Sequence, residues 1–261
     1  MRKPRLTTLR LIHRADEPVA TLLLNRPDRL NALSRDLLRE IPIACRWLDE
    51  TDSIKAVVVR GVGRAFSAGF DLDDFVTMDE SSSPTTAADL GRLATEALTD
   101  VRPMTVAAVH GHCVGGGLLI AAACDLRLAS DDVRFSIPEV DLGIPLAWGG
   151  IPRLVREFGP AITKELVLTC RPFGAEEARS LRFLNRVVAA GDLVAAADAL
   201  AADLASKPGF SLRATKTQVN AVMDEIAGVG RNASDAHTLT VALHDPESRA
   251  IGAAYLAARR K

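Results

Sequence analysis

Apolar positions along the chain recur at two spacings, and the switches between them predict the order of elements. Leu9–His13 and Val19–Leu24 read as two short strands joined by the polar turn RADEP, the start of a hairpin. Asn31–Asp49 changes to a helical period, with Leu33, Leu37, Leu38, Ile41, Ala44, Cys45 and Leu48 three or four residues apart. Ser34 is placed to cap a helix beginning just after it, and Pro42 predicts a kink or a restarted turn. Ala56–Val59 follows as a buried strand. The polar stretch 77–89, TMDESSSPTTAAD, reads as a surface excursion, and Leu90–Val101 as a helix leading to the strand Val106–Val109. The block GHCVGGGLLIAAAC then turns from strand into helix, with a further strand at Asp125–Ala129.

Beyond Pro160 the pattern is mainly helical. Ala161–Leu168, Ala175–Leu181 and Leu193–Leu204 read as helices around one last strand, Asn185–Val188. Lys207-Pro208-Gly209 breaks the chain before further helices that end in AARRK. The expected organisation is α/β: a core over residues 1–207 in which strand, strand, helix recurs, and a helical region over 208–261. That region is too small for a large core of its own and must pack on its own core or on a neighbouring subunit.

Composition narrows the function classes. With 48% hydrophobic residues and Lys+Arg 32 against Asp+Glu 33, the net charge is -1, which excludes disorder and disfavours a nucleic-acid or anionic-membrane surface. Only 4% of residues are aromatic, too few to stack many bases. Cys45, Cys113, Cys124 and Cys170 show no C-x-x-C spacing and read as reduced core thiols. No signal peptide is evident, and the longest apolar stretch, Cys113–Cys124, is too short to span a bilayer, so the expected compartment is the cytoplasm.

Two turns carry candidate chemistry. Gly115-Gly116-Gly117 stands between an apolar strand and an apolar helix, where helix N-terminal N–H groups are free to donate. Neither a P-loop nor a G-x-G-x-x-G fingerprint fits the block, and close helix–strand packing explains it equally well. Ala68-Gly69-Phe70-Asp71 is a second turn after a buried strand, with Asp71 alternatively a simple cap for the next helix. Donors freed at Phe70 and Gly116 and aimed at one point would make an oxyanion hole. His110 and His112 lack a third metal ligand, and Asp71, Asp73 and Asp74 lack the rest of a calcium loop, so no metal is expected.

Together, NRPDRLNAL at 25–33, AFSAGFDL at 65–72, AAVHGHCVGGG at 107–117, CDLRLAS at 124–130 and FSIPEVDLGIPLAWGG at 135–150 resemble successive signatures of the enoyl-CoA hydratase/isomerase (crotonase) superfamily. The resemblance runs from about residue 9 to the C-terminal AYLAARR. It implies a spiral of strand–strand–helix turns with a C-terminal helical trimerisation region, a homotrimer or dimer of trimers, and an acyl-CoA thioester as substrate. No cofactor is implied beyond the coenzyme A that the substrate carries. By position, the oxyanion donors would be the backbone N–H groups of Phe70 and Gly116. Arg29, Leu30, Ala68, Asp71 and Leu72 would contact CoA, with Tyr255 and Arg259 reaching CoA of the same or an adjacent subunit.

The resemblance also implies two glutamates for hydration. One is present as Glu139, while the position two residues beyond the third glycine is Leu119. A single carboxylate still suffices for a 1,3-proton shift, so 3-enoyl to 2-enoyl-CoA isomerisation through Glu139 is the favoured expectation. A one-glutamate hydratase and a non-catalytic acyl-CoA binder are the alternatives. Leu146 stands where some dehalogenases and dienoyl isomerases of the family carry an aspartate, which disfavours those reactions. Asp141 reads as a turn residue, and Trp148 as either acyl-pocket wall or core.

Overall fold

A computed structural model describes residues 2–76, 84–228, 230 and 234–259. Its main sheet has six strands in the order β1-β2-β3-β4-β6-β9. These are β1 (Leu9–Ile12), β2 (Val19–Leu24), β3 (Ala56–Gly61), β4 (Met104–Val109), β6 (Leu126–Ser130) and β9 (Arg186–Val188). The first pair is antiparallel, as the hairpin predicts, and every later pair is parallel. A second sheet joins β5 (His112–Val114), β7 (Arg134–Ser136) and β8 (Phe173–Gly174). The sequence pattern did not foresee β7 and β8, because runs of two or three residues carry too little alternation to register.

Parallel strands covered on both faces should be mostly apolar, and these are, with Arg60, Thr105, Arg127 and Ser130 among the exceptions. Leu22, Leu24, Val57, Val59, Ala107, Val109 and Ala129 point into the larger core, shared with α1 (Arg35–Asp49), α3 (Pro84–Asp100) and α4 (Gly116–Ala122). Their alternates Ala56, Val58, Val106, Ala108 and Leu128 face α7 (Leu193–Ala205), whose Leu193, Ala197, Ala201 and Ala205 recur every four residues. Small alanines there let the helix lie close to the sheet.

Several expectations need correction. Ser34 Oγ does cap α1 by accepting from Leu37 N–H at 3.3 Å, but the helix starts at Arg35, not Asn31, and passes through Pro42 without a break. Only one intrahelical bond is lost at the proline, and seven buried side chains of α1 hold the helix to the core. Of the expected excursion, residues 77–83 lie outside the described residues, while 84–89 are the first turns of α3, with Pro84 at its first position. A helix the pattern missed begins at Gly150. α5 (Gly150–Thr169) joins that segment to the expected one across a break at Gly159, whose φ is 76°. The short helices α2 (Leu72–Val76) and α6 (Ala175–Ser180) complete the core.

Beyond Pro208 come α8 (Gly209–Ala227), α9 (Asp235–His244) and α10 (Pro246–Arg259). They lie on the core of their own chain. Lys216 Nζ, on α8, meets Asp125 Oδ2 at 2.9 Å and the Pro103 carbonyl at 3.1 Å, and Arg156 reaches Asp224 at 2.6 Å. No described helix is long and apolar enough to cross a membrane.

Candidate active site

Strand pairing builds one half of the site. Ser67 and Cys113 form a parallel bridge, with Ser67 N–H donating to the His112 carbonyl and Val114 N–H to the Ser67 carbonyl. Three residues further along each strand stand Phe70 and Gly116. Leu33 bridges Phe70 from the other side, with Leu33 N–H donating to the Gly69 carbonyl and Asp71 N–H to the Leu33 carbonyl. Both bonds use the neighbours of Phe70, so the N–H of Phe70 itself faces away from Leu33. Gly116 is the first residue of α4, where an N–H has no intrahelical partner. Neither donor meets an acceptor among the described residues, and both residues line one pocket.

Glu139 supplies the other half. It sits in a turn where its carbonyl accepts from Leu142 N–H at 3.1 Å and Ile144 N–H at 2.9 Å. The carboxylate enters the same pocket, and Oε2 carries no accessible surface and no hydrogen bond. Gly115 is what admits it. At φ 50° and ψ -119° the backbone is in a region reserved for glycine, and a Cβ there would run into Glu139 Oε1. Burial pushes the Glu139 carboxyl up to about 7, and its own backbone N–H offsets only part of that.

The remaining walls are apolar. Leu119 is buried and lines the pocket with Phe70, Ala88, Ile144, Pro145, Leu146, Ala147, Trp148 and Leu239. No second carboxylate is among the described lining residues. Leu146, at the position discussed for an aspartate, is one of these walls. Asp141 is exposed in the turn after Glu139, and Cys170, expected only as a core thiol, backs that turn at the N–H groups of Val140 and Asp141.

The residues assigned to CoA are only partly grouped. Leu30 and Ala68 are joined directly, Ala68 N–H donating to the Leu30 carbonyl at 2.9 Å. Arg29 is exposed and pairs with Asp73 at 3.0 Å. Asp71 is buried, its carboxylate accepting from Arg26 at 2.7 Å and from Asp73 N–H at 3.1 Å, which fits the capping alternative; Leu72 opens α2. Tyr255 lies on α10, which crosses so near the Glu139 turn that a Cβ at Gly252 would be 2.7 Å from the Leu142 carbonyl. Arg259 ends α10, and its side chain lies outside the described residues.

Sequence reasoning overlooked several supporting residues. Buried Asn31 accepts from Arg26 N–H at 2.9 Å and donates to the carbonyls of Val62 and Ala65, fixing the loop that carries Ala68. Ser67 Oγ donates to the Asn31 carbonyl and accepts from Gly69 N–H. Both lie within quoted motifs, so their place was visible and their bonds were not. Asp235 and Leu239, by contrast, belong to no motif. Asp235 Oδ2 accepts from Gly149 N–H at 2.9 Å.

Comparison with known proteins identifies the family. Residues 14–260 match the family model described as enoyl-CoA hydratase/isomerase. A probable enoyl-CoA hydratase of Mycobacterium tuberculosis is 35% identical over 217 residues, 82% of each protein. A peroxisomal Delta(3,5)-Delta(2,4)-dienoyl-CoA isomerase of Arabidopsis thaliana is 37% identical over 194 residues, 69% of each. Among solved structures, an enoyl-CoA hydratase/isomerase from Mycobacterium paratuberculosis superposes with a TM-score of 0.86 at 27% identity, covering 95% of this chain and 98% of that one.

Proposed function

This chain belongs to the enoyl-CoA hydratase/isomerase family, and on that premise we propose that it moves the double bond of a 3-enoyl-CoA thioester to the 2-position through Glu139. The observation that carries this reading is the Glu139 carboxylate, whose inaccessible, unpartnered Oε2 lies in a pocket where the nearest candidate for a second acid, Leu119, is apolar.

In the reaction, Glu139 takes a proton from C2, and the C2–H electrons pass into the thioester carbonyl to give an enolate. Its oxygen rests between the N–H groups of Phe70 and Gly116, donors of a kind each worth roughly 3–4 kcal/mol of transition-state stabilisation. Protonated Glu139 then returns the proton at C4, and the C3–C4 double bond becomes C2–C3. A carboxyl poised at about 7 can both accept and return a proton at neutral pH. Apolar walls keep water from competing for the enolate.

A hydratase working with one glutamate is the second reading, favoured by the name of the Mycobacterium tuberculosis relative. CoA would lie along Arg29, Leu30, Ala68, Asp71 and Leu72, with Tyr255 and Arg259 near it. Exposed Val219, Val222 and Ile226, three and four residues apart on α8, fit a face that meets other copies in a homotrimer or dimer of trimers.

The test offers the purified protein 3-enoyl-CoA and 2-enoyl-CoA substrates, beside Glu139→Gln. Isomerisation that falls about 10²–10⁴-fold in the variant supports the assignment. Hydration without isomerisation would establish the second reading, and tight binding without turnover would leave a non-catalytic binder.

A further inference from the structure

We propose that Trp148 sets the acyl-chain length of this enzyme: its indole fills the gap between α3 and the N-terminus of α4, so the site takes short enoyl groups. The inference rests on the reading of this pocket as the acyl site.

Two independent observations place the ring there. The first is conformational: Trp148 has φ 62°, in the left-handed region that bulky residues avoid, followed by Gly149 at φ 66°. Such strain persists only where the surroundings hold it, and they do so on both sides. The Trp148 carbonyl accepts from Thr95 Oγ1 at 3.2 Å, and Gly149 N–H donates to Asp235.

The second is steric. Gly91 on α3 and Gly116 on α4 both lie against the indole, so near that a Cβ on either residue would overlap ring atoms. The ring therefore occupies the whole gap from one helix to the other. It is edge-on to Phe70, with ring centroids 5.7 Å apart at 89°. An acyl chain leaving a thioester held at Phe70 and Gly116 meets this wall within its first few carbons.

The space left over is small. The cavity measures only about 50 Å³, and Ala88, Ile144 and Leu239 line its other side.

The test measures dissociation constants for butanoyl-, hexanoyl-, octanoyl- and decanoyl-CoA, and kcat/KM for the matching 3-enoyl-CoAs. It compares the wild type with Trp148→Gly, which accepts the left-handed backbone, and with Trp148→Phe, which keeps a smaller ring. In the wild type both measures should worsen at least about tenfold from hexanoyl to decanoyl, as overpacking predicts. In Trp148→Gly binding should instead tighten with length, by up to about fourfold per methylene, with Trp148→Phe between the two. A wild type that binds decanoyl-CoA as tightly as butanoyl-CoA overturns the proposal, as does an unchanged length profile in either folded variant. A chain-length profile in binding without any turnover would keep the wall and reject the proposed reaction.

Discussion

The two halves of the site are made of different material. The donor half is backbone: Phe70 and Gly116 present N–H groups because the strands carrying them are paired at Ser67 and Cys113, both fully buried. The carboxylate half is side chain, mounted on a turn that the C-terminal helices brace at Gly149 and Leu142. Strand pairing fixes a backbone donor whatever side chain it bears, so the donor half suits every reaction that passes through an enolate. The carboxylate half depends on Leu119, Trp148 and Leu239, residues spread over a hundred positions. Differences of reaction and substrate are therefore expected on the carboxylate side.

The sharpest way to break the comparison is to strike both halves at once, through Gly115. Gly115→Ala forces an alanine into a glycine-only conformation and sets its Cβ against Glu139 Oε1. The carboxylate must move, and the start of α4 moves with the strained backbone. Displacements of about an ångström commonly cost a hundredfold in rate, so kcat should fall roughly 10²–10³-fold. Stability should drop only about 1–3 kcal/mol, the usual range for such strain. Steady-state kinetics beside thermal melting separates the two, and a variant that melts lower but keeps its rate would show that the halves are not joined at this residue.

The same division explains what could be read from the sequence. The donor half was legible because glycines at 69 and 115–117 follow apolar runs at strand length, a local signal. Glu139 was legible as the acid of a recognised motif, and Leu119 as a departure from it. The wall at Leu239 was not, since it depends on a helix that folds back from the far end of the chain. Pro42 misled because packing outweighs one lost bond, and the helical segment before Gly159 went unread because it carries no cap signal.

Protonation separates the halves next, because only one of them titrates. With the Glu139 carboxyl at about 7, kcat/KM should fall tenfold per pH unit on the acid side and level off above neutrality. Binding of a saturated acyl-CoA, which needs only the donors, should stay flat over the same interval. Folding stability carries the same signature. The folded carboxyl holds its proton more tightly than the unfolded one, near 4.5, so its contribution is full below that value. It declines as pH rises to about 7, by roughly 2–4 kcal/mol in all. Denaturation of the wild type and Glu139→Gln across this range reads the difference, and parallel curves would place the carboxyl in water.

The smallest expected effect lies at the brace. Asp235 is half-buried, and burial raises its carboxyl while the Gly149 N–H offsets part of the rise. Asp235→Ala leaves the Gly149 donor unpaired and frees α9 from the turn that bears Trp148, costing roughly 1–2 kcal/mol of stability. The rate should fall by less than about tenfold, because Glu139 keeps its own turn bonds to Leu142 and Ile144. Asp235→Asn retains an acceptor oxygen and should recover most of both losses. Were the asparagine variant as impaired as alanine, the negative charge rather than the tether would be what the carboxylate half requires.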